Sequence, residues 1–475
     1  MLLAHNNLER ALALYDVAES TLGRLGSNAL LSLALTSKAH SRVVLPYYMH
    51  RHVVLPSCVT PAATIAFLES SKHGYFDHTR SLVLALRLPR PPALDRSGIS
   101  LDGFADVIEC MTNIQSLSFH DTHRLCQYNS RMLVSVAKLG RLRSLELARY
   151  THDDLEPLLH VSGLRHLSLA HPSYDRFYPA KLHNSNVVQI VRNSRTTLQS
   201  IKLVEVDLDF DFIPSYSLAL VSCAAEWDGM LPGALRLELE SCSGHRWLPN
   251  LSVSLPSVRL FDSPRAIEWA HYAVNGESLA RLLSLGGPMA LFPIALQAGA
   301  SLQRARVHDD VHFETGLDLA RYFPCDLKSL HLKIWGFTKD GLARQNIFQK
   351  LVSTTPNLIF LHINMESGEF CHLYEETLMH LFKTLSVVPL QYLSITWFVN
   401  CCVAHCSHCP AILDVDRLAY IVKHGIPSLR CLSLKPAPRK VYTFQRTGTG
   451  DMMEFTCITH DDGVVSRDYY DFLWL

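Results

Sequence analysis

The 475-residue chain has no surplus of either charge: 44 Lys and Arg face 44 Asp and Glu, so its formal net charge is zero. A nucleic-acid binder ordinarily carries a basic excess or a clustered basic stripe, and with neither in the sequence no nucleic-acid partner is expected. A long apolar run is lacking too. The longest weakly polar stretch, Gly286 to Ala300, is too short to span a bilayer and is interrupted by Pro288 and Pro293, so no membrane partner is expected. The opening ten residues, Met1 to Arg10, have no basic region followed by an apolar one, as an export signal needs. The 13 cysteines are odd in number and scattered, unlike the dense framework of a small disulfide-bonded secreted domain. These absences lead us to expect a cytoplasmic and/or nuclear protein.

Catalytic signatures are missing as well. There is no Gly-x-Ser-x-Gly elbow, no His-Glu-x-x-His zinc motif and no ring-type zinc pattern. Thr447-Gly-Thr-Gly450 lacks the Lys that a phosphate loop places after its glycines. No enzymatic activity and no cofactor are expected.

What the chain does have is one phrase, Leu-x-x-Leu-x-Leu. It is clearest at Leu327-Lys-Ser-Leu330-His-Leu332 and recurs at Leu142–Leu147, Leu164–Leu169, Leu390–Ile395 and Leu429–Leu434. Each copy is a strand too short to bury its own apolar face, so it is stable only when stacked on a neighbour of the same kind. Unit starts are read near Thr79, Ile114, Leu142, Leu164, Leu198, Ala234, Leu255, Leu302, Leu327, Leu358, Leu390 and Leu429. That is about a dozen units at a mean spacing of about 32 residues, against about 20–29 in ordinary leucine-rich repeats. The extra length holds a helix in several intervals: Phe104–Met111, Asn346–Val352, Glu376–Leu385 and Asp416–Val422 carry apolar residues at helical spacing. The expected fold is α/β, a leucine-rich-repeat solenoid (horseshoe) over residues 57–435. The Asn or Cys that usually ladders three positions after the last strand Leu is replaced by Thr122, Tyr150, Pro172, Val206, Trp335, Glu366 and Phe398, and only Cys242 conforms.

Two segments flank the repeats. Residues 1–56 read as short helices broken by Gly23 and Gly26, with Pro46 stopping or kinking what precedes it. Residues 436–475 read as a C-terminal cap: Val441–Arg446 and Glu454–Thr459 alternate like two strands around a glycine turn.

Within the first segment, Ala29-Leu-Leu-Ser-Leu-Ala-Leu-Thr-Ser-Lys-Ala-His40 and Leu45-Pro-Tyr-Tyr-Met-His-Arg-His-Val-Val-Leu55 resemble the second half of the F-box in fungal F-box proteins with leucine-rich repeats. Such F-boxes usually open with Leu-Pro and an acidic residue; here Ala13-Leu14 stands at that place, with Asp16 at the acidic position. The resemblance implies a non-catalytic substrate-recognition adaptor of a cullin-type (SCF) ubiquitin ligase. A Skp-type adaptor and its cullin complex would dock on Asp16, Leu22, Leu25, Leu30, Leu31, Leu33 and Leu35. The alternative is a leucine-rich-repeat interaction scaffold that does not engage the ubiquitin machinery.

The repeat also says where a target protein would bind. Strand alternation sends the last two apolar residues of the phrase inward and the residue between them outward, to the concave face. That position holds Glu146, Lys202, Glu238, Arg259, His331 and His362, among others, all polar and of both signs. His331 and His362 occupy equivalent places in adjacent units. Separately, Cys402, His405, Cys406 and Cys409 supply the thiolate and imidazole groups of a tetrahedral zinc site, with Cys406 and Cys409 at knuckle spacing. The competing reading is a loop whose cysteines are incidental, because structural zinc sites usually draw on two ligand pairs held apart.

Overall fold

The computed structural model describes residues 22, 27–45, 48, 50–55, 67–69, 75–85, 102–151, 153–171, 180–181, 186–207, 233–240, 256–264, 275–312, 321–335, 347–367, 375–399, 425–437, 440–447, 454–457 and 471. The chain is an α/β protein whose strand–helix units lie on mostly parallel sheet, the construction of a leucine-rich-repeat solenoid. It divides into two compact units, residues 1–234 with 240–249 and residues 235–239 with 250–475.

In the first unit the strands β1 (His52–Leu55), β2 (Ser81–Leu84), β3 (Ser116–Phe119), β4 (Ser144–Ala148) and β5 (His166–Ala170) pair in parallel in chain order. Strand β6 (Ala180–Lys181) leaves the series and makes a small side pair with β8 (Val206–Asp207), while β7 (Ser200–Val204) continues the parallel series beside β5. The sequence assigns residues 52–55 to the helical segment, yet they are the strand on which this sheet starts. His52-Val-Val-Leu55 is short and β-branched, and its inward Leu55 has Leu84 of β2 as register partner.

In the second unit β9 (Arg236–Glu240, whose last residue, Glu240, belongs to the first unit), β10 (Leu260–Asp262), β11 (Ser284–Gly287), β12 (Arg304–His312), β13 (Ser329–Trp335), β14 (Phe360–Ser367), β15 (Tyr392–Val399) and β16 (Cys431–Ala437) are parallel and in chain order. Two antiparallel strands follow on β16, β17 (Lys440–Thr447) and β18 (Glu454–Cys457), which is the expected hairpin-like cap.

One hydrogen-bond device repeats at the strand entries. The carbonyl of the residue just before a strand accepts two successive N–H groups from the next unit. Gln115 O takes the N–H of Arg143 and Ser144, Lys328 O those of Ile359 and Phe360, and Gln391 O those of Arg430 and Cys431. This satisfies the turn's backbone and locks neighbouring strands in step. At two strand exits the chain turns through left-handed backbone, Arg149 at φ 54° and Glu205 at φ 56°. Each sends its N–H to the next strand, Arg149 to Ala170 O and Glu205 to Glu240 O.

The leucines behave as the periodicity demands. Leu145 and Leu147, Leu167 and Leu169, Leu330 and Leu332, and Leu393 with Ile395 are buried, as are the leading Leu142, Leu164, Leu327 and Leu390. The expected helices form at Asp102–Cys110, Ile347–Thr354 and Glu375–Leu385; the one expected at 416–422 lies outside the described residues. At the two laddering positions whose burial is described, the side chain is internal without Asn: Thr122 and Tyr150 are buried, and Tyr150 meets His171 edge to face at 5.8 Å.

Two unit starts are corrected. The unit read from Leu255 begins at Val258, three residues later, and a further unit at Leu282 was not expected at all. Leu282-Leu-Ser-Leu285-Gly-Gly287 ends in Gly where the phrase needs Leu. A Cβ on Gly287 would stand 2.7 Å from Leu291 Cδ2, so the neighbouring helix Leu291–Gln297 fills the space from its own side.

Candidate functional site

The strand positions that alternate with the inward leucines form two rows of side chains. In the first unit the row between the inward residues runs Val54, Val83, Ser118, Glu146, Ser168, Lys202, each in register with the next. Val54 and Glu146 are exposed, and Ser168 and Lys202 half-buried. The Ser118 hydroxyl donates to Glu146 Oε2 at 3.0 Å, and Lys202 Nζ lies 3.3 Å from Glu240 Oε2. Ser118 is buried, and the rest of the row is an accessible surface of mixed charge with an apolar start.

In the second unit the same row runs Glu238, Asp262, Gly286, Arg306, His331, His362, Ser394, Ser433. Arg259, expected in this row, is not in it. It precedes β10, where its carbonyl accepts the N–H groups of Leu283 and Ser284, and Asp262 takes the place in the row. The misreading follows from the three-residue shift of the unit start. Glu238 is held by Arg236 of its own strand, Nε to Oε1 at 2.6 Å.

Asp262 is buried and receives Arg306 Nη1 at 3.2 Å and His308 Nε2 at 2.5 Å. Burial acts to raise its carboxyl, but the His308 hydrogen bond and the Arg306 charge hold it well below the usual carboxylate range. To reach β12 its side chain crosses β11 at Gly286, where a Cβ would lie 2.3 Å from Asp262 Cγ. Glycine is required here for passage of a side chain, not for backbone conformation.

The second row departs further from expectation. Its members in the first unit are His52, Ser81, Ser116, Ser144, His166 and Ser200, none of them buried. In the second unit Ser284, Arg304, Ser329, Phe360, Tyr392 and Cys431 follow in register, and all are buried. Phe360, Tyr392 and Cys431 form an apolar cluster of their own, with Phe360 and Tyr392 stacked at 4.8 Å. Burial there raises the Cys431 thiol to about 12, which keeps it protonated.

Arg304 is only 5% exposed, and its partner is Asp471. Arg304 Nε and Nη2 donate to Asp471 Oδ1 and Oδ2, each at 2.9 Å, the parallel fork that guanidinium and carboxylate make best. Asp471 Oδ1 also receives the Ser329 hydroxyl and lies 2.9 Å from His331 Nε2, while Arg304 Nη1 donates to Ser284 Oγ at 3.2 Å. Burial pulls the His331 ring down to about 4, opposed by Asp471 and reinforced by Arg304 and Arg306, so the ring is neutral at pH 7 and donates one N–H. Burial acts to raise the Asp471 carboxyl, and His331 and Arg304 more than offset it, leaving it ionised. His331 and His362 are neighbours as expected, ring centroids 5.4 Å apart, but His331 is turned into this network.

The helical segment sorts its leucines. Leu22 and Leu30 lie in a small cluster with Ala34, Val44 and Tyr48, built between the helices Ser27–Ala34 and Lys38–Val44; Leu33 packs at its margin. The turn between the helices is set by Thr36, whose hydroxyl donates to Leu33 O at 2.7 Å, and by Ser37, whose Oγ caps His40 N at 3.1 Å. Leu31 and Leu35 point outward, 44% and 78% exposed. Asp16 and Leu25 lie outside the described residues, as do Cys402, His405, Cys406 and Cys409. Among the described residues no group of three or more His, Cys, Asp and Glu is placed to hold a metal, and no helix is long and apolar enough to cross a membrane.

The chain matches no protein-family model and no curated protein. What the geometry defines is a class: an α/β repeat protein whose outward strand positions present polar and charged rows suited to protein contact.

Proposed function

We propose that the chain is a non-catalytic substrate-recognition adaptor of a cullin-type (SCF) ubiquitin ligase, acting in the cytosol and/or nucleus. The observation that carries the coarser part, a protein-interaction scaffold, is the repeat fold with its in-register mixed-charge row Ser118, Glu146, Ser168, Lys202. Such a row displays several functional groups at strand spacing on a stiff backbone, so a partner is read by complementarity of charge and shape rather than by chemistry. The finer part rests on the F-box resemblance of residues 29–55. Leu31 and Leu35, one turn apart and exposed, are what a Skp-type adaptor would bury, while Leu22 and Leu30 hold the helices together.

The test is co-precipitation of the full chain with a Skp-type adaptor. The expected outcome is binding that falls at least tenfold when Leu31→Asp and Leu35→Asp are combined, with unchanged circular dichroism. If the unaltered chain retains no adaptor, the protein is an interaction scaffold outside the ubiquitin machinery. Glu146→Lys combined with Lys202→Glu then asks the separate question of whether the first-unit row selects the target.

A further inference from the structure

The polar network around Arg304 sits on the face used for contact, yet it is closed by a residue far along the chain. Asp471 is 167 positions from Arg304 and 142 from Ser329. In the two outward rows that contain Arg236 and Glu238, strands β9 to β13 carry three guanidinium groups, Arg236, Arg304 and Arg306, and two carboxylates, Glu238 and Asp262. Glu238 is taken by Arg236, and Asp262 by Arg306 and His308. Arg304 makes its forked pair with the carboxylate that Asp471 brings.

We propose that Ser284, Arg304, Ser329 and His331 form a receptor for a partner protein's aspartate or glutamate flanked by aromatic residues, and that Asp471 is the chain's own occupant of it, exchanged when the partner binds. This rests on the reading of the chain as a protein-interaction scaffold, and names the chemistry of one contact. Four groups converge on one site: the two donors of the guanidinium fork, the Ser329 hydroxyl and the His331 N–H engage the carboxylate, while Ser284 steadies the guanidinium. The adjoining positions supply the aromatic part. His331 lies against Phe360 at 4.9 Å, and Phe360 stacks on Tyr392. Asp471 itself stands in Tyr469-Tyr-Asp471-Phe-Leu-Trp474, an acid among aromatics.

A purely structural staple does not account for the choice of residues. Taking an ion pair out of water costs about as much as the pair returns, so apolar packing serves stability as well or better. The next units of the same row take that solution, with Phe360, Tyr392 and Cys431. A guanidinium fork held in place by a neighbouring hydroxyl is instead a selective carboxylate binder.

The experiment uses the full chain and a fluorescein-labelled peptide of residues 466–475, followed by fluorescence anisotropy. A second peptide carries Asp471→Asn. In the chain carrying Asp471→Asn the built-in competitor is weakened, so the acidic peptide should bind at least tenfold more tightly than to the unaltered chain. It should also bind at least tenfold more tightly than the amide peptide, and Arg304→Gln added to the same chain should remove that preference. Equal binding of the two peptides, or no binding by any chain, overturns the proposal. So does an Asp471→Asn chain that no longer melts cooperatively, because an occupant the fold cannot release is not exchangeable. No target and no Skp-type adaptor enters this assay, so its failure leaves the adaptor reading standing, and failure of the co-precipitation leaves the receptor standing.

Discussion

Gly286 shows how one missing side chain organises a charged cluster. Its absence of a Cβ lets Asp262 lean across β11 to Arg306 and His308 on β12. Gly286→Ala should cost about 1–3 kcal/mol by overpacking and by displacing a paired carboxylate. In a background of Asp262→Ala the same substitution should cost little; comparing the four thermal melts measures this, and equal costs in both backgrounds would sink the account. The charged residues also set a pH dependence. His331 has a folded pKa of about 4, below the unfolded value of about 6.5. The unfolded chain therefore binds the extra proton between those values, and stability falls as pH falls through that window. Asp262 and Asp471 are held below their usual range, so their contribution is complete above about 4 and is lost at more acid pH. Urea midpoints should decline from pH 6.5 downward, and His331→Gln should flatten the upper part of the curve. An unchanged slope in that variant would mean that other groups carry the titration.

At the scale of the element, a strand of this chain is two inward residues and the turn that delivers them. Leu330 is fully buried, and Leu330→Ala should destabilise by about 2–5 kcal/mol in denaturant unfolding. The exposed Leu35 is a contrast: Leu35→Ala should leave stability within about 0.5 kcal/mol, since nothing in the folded chain is lost. The strands were legible wherever both inward residues are Leu, Ile or Phe, and there the expected starts agree with the observed register. They were not legible where another element supplies the packing. At β11 Leu291 reaches the place of the missing strand leucine, and no pattern local to Leu282–Gly287 records that. The helical segment is an intermediate case. Short helices are expected there with breaks at Gly23 and Gly26, but the turn at Thr36-Ser37 that divides Ser27–Ala34 from Lys38–Val44 is seen only in the fold, and the leucine run does not say which leucines face the partner helix and which face solvent.

For the molecule as a whole, repetition explains the length without requiring many separate cores: each unit covers the apolar edge that its neighbour leaves open. Amide exchange should accordingly be slowest in strands with a neighbour on each side, such as β4 and β14, and faster in β1 and β18, which end the strand order. The candidate surface divides along the same line between local and distant causes. That Glu146, Lys202, His331 and His362 share an outward position is written in the period of two, because alternation is a property of the strand itself. The change from Ser81, Ser116 and Ser144 to Phe360, Tyr392 and Cys431 at the neighbouring position was also in the letters, and signals that the second unit buries part of this face. The partner of Arg304 was not. A carboxylate 167 residues away has no periodic relation to the strand it meets, so only the folded chain brings Asp471 to Arg304, Ser329 and His331 and turns four unremarkable letters into one site.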